Sequence, residues 1–502
     1  MQNLLSLLIW LPIIAGLFIL YIGDDENPNS SRYIALFTVL LTLILSYPLL
    51  SQFNYATHQM QFVEFKQWLP QLGVHYHLGV DGIAVPLIIL SIFTTLIVLL
   101  ATWDSIKQKV AQYLAAFLIM QGLLVGVFSS LNAILFYVFF EATLIPMYLI
   151  IGIWGSDNRV YAAIKFFLYT LIGSLLMLVA LLYLGVQSSG FTIAAWYNLP
   201  LLLHVQILIF IAFFFGFAIK IPMWPVHTWL PDAHTEAPAG GSIILAAVLL
   251  KLGGYGFLRF VLPIVPDASQ HLAWVMIALS LIAIVYIAIV AIVQTDMKKL
   301  IAYSSISHMG FVTLGCFAIF VVAQRTGSMM DAALVLEGAY FVMISHGFIS
   351  GALFAGVGFI YDRMHTRQIA DFGGVVNTMP IFASFMMLFA MANAGLPGTS
   401  GFVGEFMVIL GSMKANFWIA LMAATTLVFG AAYTLWMYKR VIFGKVVSQK
   451  VEQLQDIRGL EVLAFSLLAG FVLLFGLYPA PLLDMIHESI HHLLTVSSVS
   501  KL

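Results

Sequence analysis

Charge is what this sequence lacks most. Only 9% of its 502 residues are Asp, Glu, Lys or Arg, against ~25% in an ordinary soluble domain, while 62% are hydrophobic. That shortage excludes a water-facing surface over most of the chain and places it in a bilayer. The net charge of −1 argues against nucleic acid as a partner, because phosphate binding needs a concentrated basic face. Long polar stretches are also missing. The longest, 51–81 and 443–461, are too short to bury a core, so no soluble domain is expected. Cysteine is nearly absent: Cys316 stands alone in an apolar run, which excludes an iron–sulfur cluster on four thiolates and an internal disulfide. It reads as a small buried apolar residue. The first twenty residues lack a basic leader and a small-residue cleavage site, so they read as a retained span.

What the chain has instead is apolar runs near the ~20 residues that cross a bilayer. They lie at 4–21, 33–50, 83–100, 113–128, 133–153, 166–184, 205–221, 242–261, 272–293, 301–322, 334–359, 380–410, 417–438 and 462–477. The fold expected is therefore an all-α polytopic membrane protein of about fourteen spans. An even number puts both termini on one side. Connections after odd-numbered spans carry thirteen Lys and Arg, from Arg32 to Arg458, and the opposite connections carry five. Because cytoplasmic loops hold the excess, both termini are expected in the periplasm. On that side, alternation in 61–77 fits a short surface hairpin, with an amphipathic interfacial helix as the alternative.

Two of the runs are interrupted. The seventh meets Pro222, Pro225 and Pro231, and the twelfth contains Gly395, Pro397, Gly398 and Gly401. Lipid does not tolerate unpaired backbone groups, so these breaks must face protein or a wet cavity. Dividing the chain into 1–110 (three spans), 111–262 (spans four to eight), 271–443 (spans nine to thirteen) and 459–502 (span fourteen and tail) puts each break fourth in a five-span unit. Five is odd, so the second unit enters the membrane from the other side and the repeats are inverted, a pattern that points to a transport path between them.

Six titratable residues stand within the spans: Glu141, Lys220, Lys251, His308, His346 and Glu405. A charge near a helix centre costs ~2.5–3.5 kcal/mol on insertion scales. Singly, each residue reads equally well as a structural anchor. As a set spread over both halves, they are what a proton relay requires. Burial disfavours a charged lysine and a nearby carboxylate restores it, so moving the partner switches the lysine between holding and releasing a proton. Histidine passes protons through either ring nitrogen near working pH. Glu337 is expected nearer the periplasmic surface than the path. Asp232, His234 and Glu236, after the first break, admit a metal site, but the bunched prolines already explain an ordered loop, which favours a capping role.

Residues 220–260, KIPMWPVHTWLPDAHTEAPAGGSIILAAVLLKLGGYGFLRF, resemble the subunit M type of bacterial respiratory complex I and its mitochondrial counterpart, subunit four of NADH dehydrogenase. The likeness continues through FFEATLIPMYLIIG, QTDMKKLIAYSSISHMGFV, ISHGFISGALFAGVGFIYDR and GLPGTSGFVGEF. It implies that Glu141 pairs with Lys220, that Lys251 is the central lysine, that His308 and His346 connect the halves, and that Glu405 is the terminal acid. It further implies a translocase subunit with no cofactor of its own, set among the other membrane-arm subunits of a bacterial inner-membrane complex, with NADH and quinone bound elsewhere. Phe140 departs from the tryptophan that this family often places before the acid. The subunit L type would continue into a long lateral helix, whereas only a short stretch follows Leu477.

Two other functions compete with redox-driven proton translocation. A cation/proton antiporter module would respond to sodium without NADH oxidation. A membrane scaffold with buried charge pairs would need Lys251 for assembly rather than turnover. No residue pattern bears on the role of Arg367.

Overall fold

The computed structural model describes residues 3–24 and 27–502, so the expectation for the N-terminal end itself lies outside the described residues. Among the described residues, thirteen helices are long and apolar enough to cross a membrane: α1 (Leu4–Ile22), α2 (Pro28–Ser51), α3 (Ala84–Ala101), α4 (Val110–Ser129), α5 (Ala133–Trp154), α6 (Arg159–Ser188), α7 (Leu203–Lys220), α9 (Ala239–Ile264), α10 (Ala273–Ile292), α11 (Met297–Thr326), α12 (Met329–Met364), α15 (Phe417–Ile442) and α16 (Leu460–Leu477). The short α8 (Trp229–Glu236) follows the first break. The twelfth run is two shorter helices, α13 (Pro380–Asn393) and α14 (Ser400–Ala415), which complete the expected fourteen spans.

Apolarity all round a helix allows either a buried or a lipid-facing position, and burial separates the two. The apolar windows of α9 and α12 are 100% buried, whereas that of α16 is only 28% buried. The outer helices turn Tyr21, Phe37, Ile44, Val179, Val186 and Val428 outward, a density of exposed apolar side chains that water would not support. Three helix starts carry side-chain caps that satisfy free amides. Asn132 accepts from the amides of Ile134 and Leu135, Asp296 from those of Lys298 and Lys299, and Ser328 from that of Asp331.

Both breaks are satisfied by protein. At the first, the Met223 amide donates to the Ala218 carbonyl (2.8 Å) and the Trp229 indole to that of Ile219 (2.9 Å). At the second, Gly395 (φ 79°) and Gly398 (φ 89°) adopt left-handed backbone that side-chain-bearing residues avoid. The Asn393 amide there donates to Ser304 (3.1 Å) and Thr434 (2.9 Å).

The segment left open between a hairpin and an interfacial helix is a hairpin. Strand β1 (Gln61–Leu69) pairs antiparallel with β2 (Val74–Val80), with Phe65 opposite His77 and Lys66 opposite Tyr76. Glu64 turns inward and accepts from the amides of Leu5 (2.7 Å) and Ser6 (3.2 Å), satisfying donors that the start of α1 leaves free. The tail after α16 is helical. It forms α17 (Ala480–Ser497), which buries Leu482, Met485, Ile486, Ser489, Ile490 and Leu493 on one face and is tied to the start of α3 by the Gly82 amide donating to Ser489 (3.0 Å). Beyond it, Lys501 donates to the carbonyls of Trp196 (2.8 Å) and Ile264 (2.7 Å). Burial holds its ammonium down to about 8, against the pull of Asp267.

Candidate proton path

Helix α9 places Lys251 by departing from α geometry on both sides of it. Residues 245–249 and 257–261 are π turns flanking the α-helical stretch 251–256. Such turns shift backbone bonding by one residue and recur at functional sites. Here the Lys251 ammonium, 0% exposed, donates to the Ala246 carbonyl at 2.6 Å. On its other side it lies 2.8 Å from Nδ1 of His346 on α12. With the ammonium donating, that nitrogen accepts and the ring proton sits on Nε2.

The His346 ring is 5.9 Å from that of His308 on α11, centroid to centroid. His308 Nδ1 in turn stands 2.6 Å from the Glu405 carboxylate on α14. A cavity of about 10 Å³ touches His308, His346, Asn393 and Glu405, room for a single water at most. Four of the six expected residues, from three spans and a half-helix, therefore form one buried line from Lys251 to Glu405.

Glu141 and Lys220 are arranged differently. Neither carboxylate oxygen of Glu141 and not the Lys220 ammonium has a hydrogen-bond partner. The two residues act on each other electrostatically without a salt-bridge contact among the described residues, and the ammonium sits over the rings of Phe140 (5.1 Å) and Phe166 (5.5 Å). Those faces offer a cation some stabilisation.

The three polar residues after the first break do not converge on a common point. Asp232 pairs with Lys165 (2.7 Å). Glu236 accepts from the Asn158 amide (3.0 Å) and from Arg367 (3.3 Å). His234 is fully buried, stacks on Phe354 with centroids 4.2 Å apart, and has no partner on either ring nitrogen. The structure thus favours loop ordering for the acids over a shared ligand role. Arg367 also bonds Asp296 (2.7 Å) and Ser156 (3.2 Å), so its role is to bind three connections together. Glu337 pairs with His487 of α17 (2.7 Å) rather than with any residue of the buried line.

Other buried polar groups escaped the sequence reading. Lys298, counted there among loop charges, lies in the first turn of α11, 4% exposed, and donates to the Ala237 carbonyl at 2.6 Å. Arg259, also counted as a loop charge, pairs with Asp81 (2.6 Å) where both are buried. His234 is within electrostatic reach of both Lys298 and Lys251, which places it beside the line. Its spacing from Lys251 carries no signal in sequence, because the chain turns between them.

Comparisons with known proteins agree with this geometry. Residues 130–430 match the family described as NADH:quinone oxidoreductase/Mrp antiporter, TM, and residues 31–129 match the amino terminus of NADH-ubiquinone oxidoreductase chain 4. NADH-quinone oxidoreductase subunit M of Rhodobacter capsulatus is 47% identical over 98% of this chain and 96% of its own length. NADH-ubiquinone oxidoreductase chain 4 of Marchantia polymorpha is 43% identical over 97% and 96%. Among solved structures, a chain of respiratory complex I from Thermus thermophilus superposes with a TM-score of 0.85 at 30% identity, covering 98% of this chain and 99% of that one. The Mrp complex from Dietzia shares the fold, with a TM-score of 0.79 at 21% identity over 97% of this chain and 51% of that one. By sequence along its whole length and by fold, the chain belongs to the antiporter-like membrane subunits of NADH:quinone oxidoreductase, in the branch of subunit M and chain 4.

Proposed function

We propose that this chain is a non-redox, proton-translocating subunit of an inner-membrane NADH:quinone oxidoreductase, a translocase that works beside other membrane-arm subunits while NADH and quinone react elsewhere. The observation that carries this reading is the buried line Lys251–His346–His308–Glu405. An ammonium at 2.8 Å from an imidazole nitrogen can hand over a proton without either helix moving. The imidazole then releases its other proton from the far nitrogen, towards His308 and Glu405, so charge advances while each ring stays in place. Glu141 governs the other end. No ion pair among the described residues fixes its carboxylate, which lies beside Ser174 and within electrostatic reach of Lys220; in this reading it approaches Lys220 to favour the charged form and withdraws to release the proton.

In this reading 111–262 and 271–443 act as inverted repeats, each contributing one broken helix. Both termini face the periplasm, as the Lys and Arg distribution favours. The test is Lys251→Met in the assembled complex, with NADH-driven proton uptake measured in inverted vesicles and normalised to complex on native gels. Uptake per complex is expected to fall to background with assembly retained. Loss of assembly instead would favour the scaffold reading, and undiminished uptake per complex would end the relay.

A further inference from the structure

A cavity of about 520 Å³ opens between the ends of α3 and α12 and the start of α16. It lies away from Glu141 and Lys220, on the face that carries the Lys and Arg excess. Its lining includes Asp104, Lys107, Asp362, His365 and Arg458. Asp362 is solvent-accessible, accepts a hydrogen bond from Ser105, and forms no ion pair among the described residues. Its neighbour Arg363 is taken up by Glu461 at 2.8 and 2.7 Å.

Behind the wall the groups are buried. The Lys298 ammonium lies 6.0 Å from the ring centroid of Tyr361, next in chain to Asp362, and the charges of Lys298 and Asp362 act on each other. Tyr113, wholly buried, also lies within reach of Asp362. The charges of Lys298 and Lys251 both act on the buried His234 ring, whose two nitrogens have no hydrogen-bond partner among the described residues. An accessible carboxylate in no contact ion pair, backed by buried titratable groups on the side of the central lysine, is what a proton-collecting mouth requires.

We propose that this cavity, with Asp362 as its acceptor, is a proton entrance to Lys251 that is separate from Glu141 and Lys220. The proposal rests on the relay reading above. A proton taken by the Asp362 carboxylate passes inward past Lys298 to His234 and restores the proton that Lys251 gives to His346.

The experiment uses the assembled complex in inverted vesicles. Asp362→Asn is expected to lower NADH-driven proton uptake per complex by about tenfold or more, Asp362→Glu to recover most of it, and added formate, a small diffusible acid, to restore part of the rate in Asp362→Asn. A structural role would give no formate rescue, and that result overturns the assignment, as does normal uptake in Asp362→Asn. If Asp362→Asn fails to assemble, Asp104→Cys allows the mouth to be blocked after folding, since the single native cysteine of this chain, Cys316, is buried. A bulky thiol reagent should then slow uptake relative to identically treated wild type, and no difference sinks the entrance. Lys251→Met measured alongside separates the two ideas. Normal uptake in both variants rejects the relay itself, whereas loss in Lys251→Met with normal uptake in Asp362→Asn rejects only the entrance.

Discussion

Gly253 sets how closely α9 approaches the break in α7, and adding one carbon there tests whether the position of Lys220 matters. A Cβ at 253 would lie 2.5 Å from the Phe217 carbonyl oxygen, 2.6 Å from the Ile221 nitrogen and 2.8 Å from the Ile221 Cβ. Ordinary carbon contacts fall at ~3.5–4.0 Å, so the two helices must separate by about 1 Å. The nearest obstructing atoms are backbone and cannot rotate aside. Overpacking of this kind costs ~1–3 kcal/mol, which a large complex can absorb. The end of α7, however, carries Lys220 and its placement over Phe140 and Phe166. Misplacing a reacting group by ~1 Å costs on the order of 10²-fold in rate. Gly253→Ala should therefore assemble and yet lose most NADH-driven proton uptake per complex in inverted vesicles. Gly470→Ala, where an added Cβ meets nothing within 4 Å, is the control and should pump normally. Wild-type uptake in assembled Gly253→Ala would refute the claim that the spacing of these helices governs Lys220.

Glu141→Ala should abolish coupled uptake while Glu141→Asp, which keeps the charge on a shorter stem, retains part of it; near-normal uptake per complex in Glu141→Ala would remove the acid from the switch. Arg259→Met leaves Asp81 buried and unpaired, a change worth ~3–5 kcal/mol, and should lower the temperature at which the complex survives on native gels. Pairing it with Asp81→Asn should recover much of that loss, and a double variant as unstable as the single would show that the pair contributes little. For topology, a reporter fused after Lys445 is expected to be active only in its cytoplasmic form and one at Leu502 only in its periplasmic form, with the reverse pattern overturning the orientation.

How far the sequence reveals this molecule depends on the range of the interaction involved. Span positions follow from local apolar length, and the breaks follow from Pro222, Pro225, Gly395 and Gly398, because proline and glycine act on their own backbone. The buried charges at 251, 308, 346 and 405 stood out because lipid makes them costly, and the structure joins them. Their order along the line did not stand out, since it depends on which helices cross. The placement of Lys220 over Phe166 is set by how two helices pack, which no local pattern shows. Helix α17 escaped because its polar face, with Asp484, His487, Glu488 and His491, lowers its apolarity below that of a span. Lys298 reads as a loop charge because the apolar run begins only at 301, whereas in the fold Asp296 caps a helix that starts at Met297 and buries Lys298 in its first turn.

The two π turns around Lys251 have a consequence for inheritance. Each holds one residue more than an α turn, so the helix beyond it is rotated by about 100° relative to an unbroken helix. Deleting any single residue from 245–249 would restore the shorter turn and swing Lys251 away from His346, with every side chain of the line still present. Substitutions in this stretch can be judged one by one for size and polarity. Its length, by contrast, is a fixed quantity, and a descendant chain can drift in composition here far more freely than it can change its residue count.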